Sequence, residues 1–281
     1  MGPLRFVLTA DTERFAARAE SFLTERIERN VMATILVRLR NGQVPGASPL
    51  FALGEDGDGV LRAVAMRTPP WLLLVSDLDP ADARSLIATW SERDPAPPGV
   101  TGTPPSARAV AAAWAAHSGG RAHCSMVEAM HVLEAVRDPP RPAQGSVRQP
   151  RPEERETLIQ WLVAFAAEAT RVGGTGVARV VDSRMADGSA QVWDDGEAVS
   201  LVMTSPQIAG TVRIGPVYTP PERRGHGYAS AAVAAVSRLA LARGAERCML
   251  YTDVANPTSN KIYADVGYRR VGDWEEHTFQ A

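Results

Sequence analysis

At 281 residues and 45% apolar content, the chain exceeds the commonest single domain and holds enough apolar material for two cores of about 140 residues each. Its 30 basic and 32 acidic residues nearly cancel to a net charge of -2, so charge gives no reason to expect a nucleic-acid or membrane-surface partner. Cys124 and Cys248 are the only cysteines, which excludes a disulfide framework and makes a reducing cytoplasm the expected location.

No window approaches the roughly 18 uninterrupted apolar residues of a membrane span. The opening "MGPLRFVLTADTERF" is too short an apolar run for a signal-peptide core. Arginine carries nearly all the positive charge, Lys261 being the single lysine, so arginine clusters weigh less here than elsewhere.

In chain order, helices are predicted over 11–25 and 31–40. Strands follow at "PLFALG", "GVLRAVAMRT" and "PWLLLVS". Then come a helix ("PADARSLIATWSER"), a strand ("GVTGT"), a helix ("SARAVAAAWAAH") and a strand ("RAHCSMVEAMHVLEAV"). That last strand carries His123, Cys124 and His131. Three such groups on one strand rarely converge, and neither Cys-x-x-Cys nor His-Glu-x-x-His spacing appears, so no metal is expected.

"RDPPRPAQGSVRQPRPEE", residues 137–154, holds five prolines and reads as an exposed linker. A boundary near residue 143 gives domains 1–143 and 144–281.

Past it, residues 152–170 put Leu158, Trp161, Leu162 and Phe165 on one helical face. "GGTGVA" (173–178) follows that helix and reads as a turn, not a dinucleotide loop. "RVVDSRM" closes a second short helix. "AQVWDD" and "EAVSLVMTS" form a hairpin about Asp195-Gly196. "IAGTVRIGPVYT" is a third strand, distorted at Pro216. A long alanine-rich helix follows and stops at Gly244. "RCMLYTDV" is a strand, "TSNKIYADVG" a helix ending at Gly267, and "YRRVGDWEEHTFQ" a final strand or hairpin. Trp161, Phe165, Trp193 and Trp274 read as core before acceptor pocket. The whole is a mixed α/β sheet protein. The similar order of elements in the two halves suggests a diverged duplication with an offset of roughly 140–150 residues.

The informative stretch is "YTPPERRGHGYASAAVAAVSRLALARG", residues 218–244. The first N–H groups of a helix lack partners inside it, and the helix dipole places partial positive charge there. Gly225 and Gly227 permit φ > 0 and close approach to the backbone, and Pro220 and Pro221 stiffen the entry. This is a strand, a stiff turn and a helix start suited to a pyrophosphate.

"RGHGYA" matches the Arg/Gln-x-x-Gly-x-Gly/Ala fingerprint at Arg224, Gly227 and Ala229. "NPTSNKIYADVGY" supplies a second element in the expected place, with Asn256, Tyr263, Gly267 and Tyr268. On these motifs, residues of about 146–281 resemble the GNAT superfamily of acyl-CoA-dependent N-acyltransferases. By element order the whole chain resembles tandem-GNAT proteins, its first half degenerate and without the Gly-rich turn.

The resemblance implies acetyl-CoA as cofactor. It implies that strand residues Val217, Tyr218 and Thr219 pair with the pantetheine arm, with Asn256 and Asn260 beside it. The N–H groups of Gly225, His226, Gly227, Tyr228 and Ala229 would hold the pyrophosphate, and Arg223 or Arg224 would add a charged contact. Tyr263 is implied as the catalytic acid. The general base stays open: "QIAGTVRIGPVYT" has no carboxylate, and Glu222, Asp253 and Tyr251 are the nearby polar groups. The implied function is acetyl transfer to a primary amine, either a small molecule or a peptide, with a homodimer possible. The alternative is a non-catalytic acyl-CoA-binding regulatory or interaction module. An aminoacyl group on RNA is a third acceptor class, disfavoured by the near-neutral charge.

Overall fold

A computed structural model describes residues 2–44, 48–169 and 176–280. The first half contains β1 (Arg5–Thr9), α1 (Thr12–Thr24), α2 (Asn30–Arg40), β2 (Leu50–Glu55), β3 (Leu61–Arg67) and β4 (Leu73–Val75). It continues with α3 (Pro80–Trp90), β5 (Gly99–Gly102), α4 (Pro104–Ser118) and β6 (Arg121–Leu133). The second half contains β7 (Ser146–Arg148), α5 (Arg155–Ala169), α6 (Val177–Ala186), β8 (Ala190–Asp194), β9 (Ala198–Thr204) and β10 (Thr211–Tyr218). It ends with α7 (Tyr228–Ala242), β11 (Arg247–Asp253), α8 (Pro257–Val266) and β12 (Arg269–Gln280). The second series repeats the first element for element. Among the described residues no helix is long and apolar enough to cross a membrane.

The chain packs as two units. One is Met1–Glu128 together with Asp273–Ala281; the other is Ala129–Gly272. The break expected near residue 143 falls inside the second unit. The divisions lie instead within β6 and β12, two long strands that each begin in one unit and end in the other.

In the first unit the strand order is β1-β2-β3-β4-β5-β12-β6. β4 and β5 run parallel, and β5 pairs antiparallel with the chain's last strand, Gly102 opposite Glu275 and Gly99 opposite Thr278. A Cβ at Gly99 would collide with the His277 carbonyl, so the close approach of these strands requires glycine there. The helices start on sequence-encoded caps: Asp11 accepts from the Glu13 and Arg14 N–H groups, and Asp79 from those of Ala81 and Asp82. Phe15 stacks on Phe51, and Trp114 on Phe279, knitting the C-terminal strand into this core. Trp274 is buried in the same unit, its Nε1 donating to Thr101 Oγ1 at 2.7 Å.

In the second unit the order is β6-β11-β10-β9-β8-β7, with β10 and β11 parallel. α7 packs on this sheet through Ala231, Ala232, Val233, Ala234 and Val236. Small side chains bring its axis close to the strands. Trp193 is buried in this core, while Trp161 and Phe165 are half-buried against a second cluster around Leu158, Leu162 and Val181.

The proline-rich stretch is a strap, not a free linker. Arg137 donates its backbone N–H to Val266, Trp193 Nε1 donates to the Gln144 carbonyl, and Asp138 pairs with Arg238. β7 pairs with β8, and Arg148 bridges Glu154 and Asp194. The prolines reduce the entropy lost in holding this path. The final stretch, open between strand and hairpin in the sequence, is one strand. Residues 173–175 of the "GGTGVA" stretch lie outside the described residues.

Candidate active site

β10 and β11 pair only from Thr211 to Arg213, opposite Arg247 to Met249. Beyond that register no ladder joins them among the described residues. The other edge of β10 stays paired with β9, at Ile214–Thr204 and again at Val217–Val202. Between these pairs two residues of β10, Gly215 and Pro216, oppose the single Met203 of β9, a bulge at the cis Gly215-Pro216 bond. Val217 and Thr219 are half-buried on the diverging segment, and Tyr218 is buried between them. Ser200 Oγ bonds the Tyr218 carbonyl and the Thr219 hydroxyl, fixing the strand end.

After a short turn at Pro221–Arg223 the chain reaches α7. Gly225 and Gly227 have φ of 84° and 82°. Gly227 is the residue before the helix, and no side chain caps it. None of the N–H groups from Gly225 to Ser230 meets an acceptor among the described residues; the first paired amide is that of Ala231, to the Gly227 carbonyl. Six donors therefore stand without an acceptor at the start of α7, where the helix dipole places partial positive charge, and Gly225 and His226 among them are exposed.

The nearby arginines are largely occupied. Arg223 pairs with Glu197. Arg224 pairs with Glu168 at 2.7 Å and donates Nε to the Thr219 carbonyl at 2.9 Å, pinning the two ends of the turn together. The Tyr228 hydroxyl donates to Asp195 at 2.5 Å, tying the β8–β9 turn to the helix start, and His226 stacks on Tyr228. That hydrogen bond raises the Tyr228 pKa; burial, then the Glu168 charge, raises that of Tyr218. Gly227 lies under the strap: a Cβ there would be 3.4 Å from the Arg141 carbonyl oxygen. Arg141 is exposed and forms no ion pair among the described residues.

Tyr263 stands on α8, 9% exposed, and burial pushes its hydroxyl up to about 12. Its ring packs edge-on against Tyr268 and lies 6.5 Å from the ring of His131 on β6. His131 is buried, its Nδ1 3.1 Å from the Ala129 carbonyl, and burial lowers its pKa. Asn256 caps α8 by accepting the Ser259 N–H. Asn260 donates Nδ2 to the Asp253 and Asn256 carbonyls. Half of each carboxamide is thereby committed to holding the β11–α8 turn, leaving Asn256 Nδ2 and Asn260 Oδ1.

The residues expected from sequence thus fall into two groups, a turn group around Gly225–Ala229 and an α8 group around Tyr263. Asp253 is used locally, accepting the Ala255 N–H, and Glu222 is exposed. Glu168, Asp195, Glu197 and Arg141 were not foreseen, because their roles depend on packing across dozens of residues. Of the groups noted on β6, His131 sits beside Tyr263, whereas Cys124 gathers with Glu275 and His277.

A family profile described as "Acetyltransferase (GNAT) family" matches residues 148–268. No curated protein matches the chain. Among solved structures it is similar to a GCN5-related N-acetyltransferase from Sphaerobacter thermophilus, at 17% identity over 99% of this chain and 96% of that one, with a TM-score of 0.59. A tandem GNAT protein from the clavulanic acid biosynthesis pathway matches at 18% identity over 99% and 98%, TM-score 0.61. A Drosophila protein matches at 13% over 100% and 99%, TM-score 0.65. At such identities the likeness is one of fold, and it spans both halves.

Proposed function

We propose that this chain, whose residues 148–268 match the acetyltransferase (GNAT) family profile and whose fold is similar to that of a tandem GNAT protein over 99% of its length, is an acetyl-CoA-dependent N-acetyltransferase acting on a primary amine. The observation that carries this reading is the row of unpartnered N–H groups from Gly225 to Ser230, beside a strand edge freed by the divergence of β10 from β11. Donors without acceptors next to an open edge suit a ligand with a diphosphate and an amide-bearing arm.

Acetyl-CoA, when bound, supplies an activated thioester that a neutral amine attacks directly. The chain's own residues bind and orient it. The amides of Gly225, His226, Gly227, Tyr228 and Ala229 take the diphosphate. The backbone from Val217 to Thr219 offers a ladder to the arm, with Asn256 and Asn260 alongside. Arg224 holds the turn's shape through the Thr219 carbonyl, and Arg141 is the guanidinium left to meet a phosphate.

Tyr263 keeps its proton: with its pKa near 12 and a reference thiol near 8.5, complete transfer to a thiolate is uphill. Its part is to donate a hydrogen bond as charge grows on the departing sulfur. β10 carries no carboxylate to serve as base. His131, held neutral by burial and packed beside Tyr263, is the better candidate to receive the amine's proton.

That missing carboxylate also favours a second reading, an acyl-CoA-binding module without turnover. Calorimetry with acetyl-CoA and free-thiol release across an amine panel separate the two. Binding with release supports the enzyme. Binding without release supports the module. Absence of binding overturns both.

A further inference from the structure

In the unit built from 1–128 and 273–281, three chemically different side chains converge. Glu275 and His277 alternate on β12 and so share one face of the sheet; both are buried. Cys124, on β6, completes the group and is exposed. The Cys124 Sγ, a Glu275 carboxylate oxygen and a His277 ring nitrogen all lie within 4.8 Å of one another. The two strands are held side by side here: Ser125 Oγ donates to the Glu276 carbonyl, and Thr278 Oγ1 lies 2.8 Å from His123 Nε2.

We propose that Cys124, Glu275 and His277 form a site for a divalent transition-metal ion of borderline softness, Zn²⁺ being the best match. Thiolate, imidazole and carboxylate are the donors zinc takes, at about 2.3 Å from sulfur and 2.0–2.2 Å from nitrogen or oxygen. Those bond lengths require ligand atoms roughly 3.3–3.7 Å apart. His277 Nε2 and Glu275 Oε2 are already 2.9 Å apart, so they open slightly while Cys124 closes in. Binding exchanges the thiol proton for the metal–sulfur bond, and the two anionic ligands then neutralise the ion's charge. Three protein ligands leave a fourth position, which the exposed Cys124 turns toward solvent.

Arg108 on α4 is the competitor. Its guanidinium forks onto Glu275, Nε to Oε2 at 3.0 Å and a terminal nitrogen to Oε1 at 2.5 Å. Its side chain is 66% exposed whereas Glu275 is fixed in the wall. The arginine can therefore swing into water at modest cost and leave the carboxylate to the ion.

The test uses the full-length protein, stripped with a chelator and titrated with Co²⁺, which reports thiolate ligation by a near-ultraviolet charge-transfer band and four-coordination by intense visible bands. The expected result is one equivalent of both, displaced by Zn²⁺. Cys124→Ser should lose the near-ultraviolet band, and His277→Gln should weaken binding at least tenfold. Arg108→Met should tighten it roughly tenfold by removing the rival cation. Circular dichroism of each variant establishes that it is folded. The proposal is overturned if no charge-transfer band forms at millimolar Co²⁺, if Cys124→Ser keeps that band, or if folded Arg108→Met binds no more tightly than the parent.

Discussion

Tyr263 and His131 are two buried groups whose neutral forms are favoured by lack of solvation, and their pH signatures run in opposite directions. For Tyr263 the folded pKa lies above the unfolded value of 10, so stability is intact below pH 10 and declines as pH climbs toward 12. For His131 the folded pKa lies below 6.5, so stability is intact above 6.5 and declines as pH falls through and below that value. Tyr263→Phe should flatten the alkaline limb of a melting-temperature profile, and His131→Gln the acid limb. An unchanged limb in either variant refutes the corresponding assignment. Tyr263→Phe should also slow acetyl transfer by about a hundredfold while leaving acetyl-CoA affinity nearly unchanged, because only the developing charge on sulfur needs its hydroxyl. A matching loss in affinity would point to packing against the cofactor instead.

The start of α7 was legible as an element because its parts are local. Glycines at φ near 80°, flanking prolines and a run of small residues all lie within one window of sequence. Gly227→Ala forces a side chain into the left-handed region and should cost about 1–2 kcal/mol in urea unfolding. What the window does not reveal is the surroundings: the strap over Gly227, Asp195 on Tyr228, and the carboxylates that occupy Arg223 and Arg224. "RDPPRPAQGSVRQP" reads as a linker because proline and polarity are the signals of exposure. The bonds that hold it down go to Val266, Trp193 and Arg238, far along the chain. Arg141 is the consequence most open to test. Arg141→Ala should weaken CoA binding by roughly threefold to tenfold, with a shallower salt dependence, as expected for an exposed charge on phosphate. Equal affinity for parent and variant would remove Arg141 from the site.

For the molecule as a whole, the order from α1 to β6 and from α5 to β12, and the mixed sheet it makes, were readable from hydrophobic period and turn residues, whereas the short strands β1 and β7 were not. The partition of the last strands was not. A strand's sequence encodes which faces are apolar, not which neighbour it joins. Deleting residues 273–281 takes a strand from the interior of the first sheet, so the truncated chain should lose that unit's cooperative transition in a thermal melt and expose β5 to proteolysis. A truncated chain that melts like the parent would show the pairing to be dispensable.

This arrangement also sets a timetable for synthesis. The chain emerges from the ribosome N-terminus first, yet β5 waits for a partner that is translated roughly 170 residues later, Gly102 pairing with Glu275. At 5–20 residues per second, that edge stays unsatisfied for roughly ten to forty seconds. The amino-terminal half therefore reaches its native state no earlier than the carboxyl-terminal one. A ribosome stalled between β5 and Asp273 holds a nascent chain whose first sheet has an unpaired edge, a natural client for chaperones.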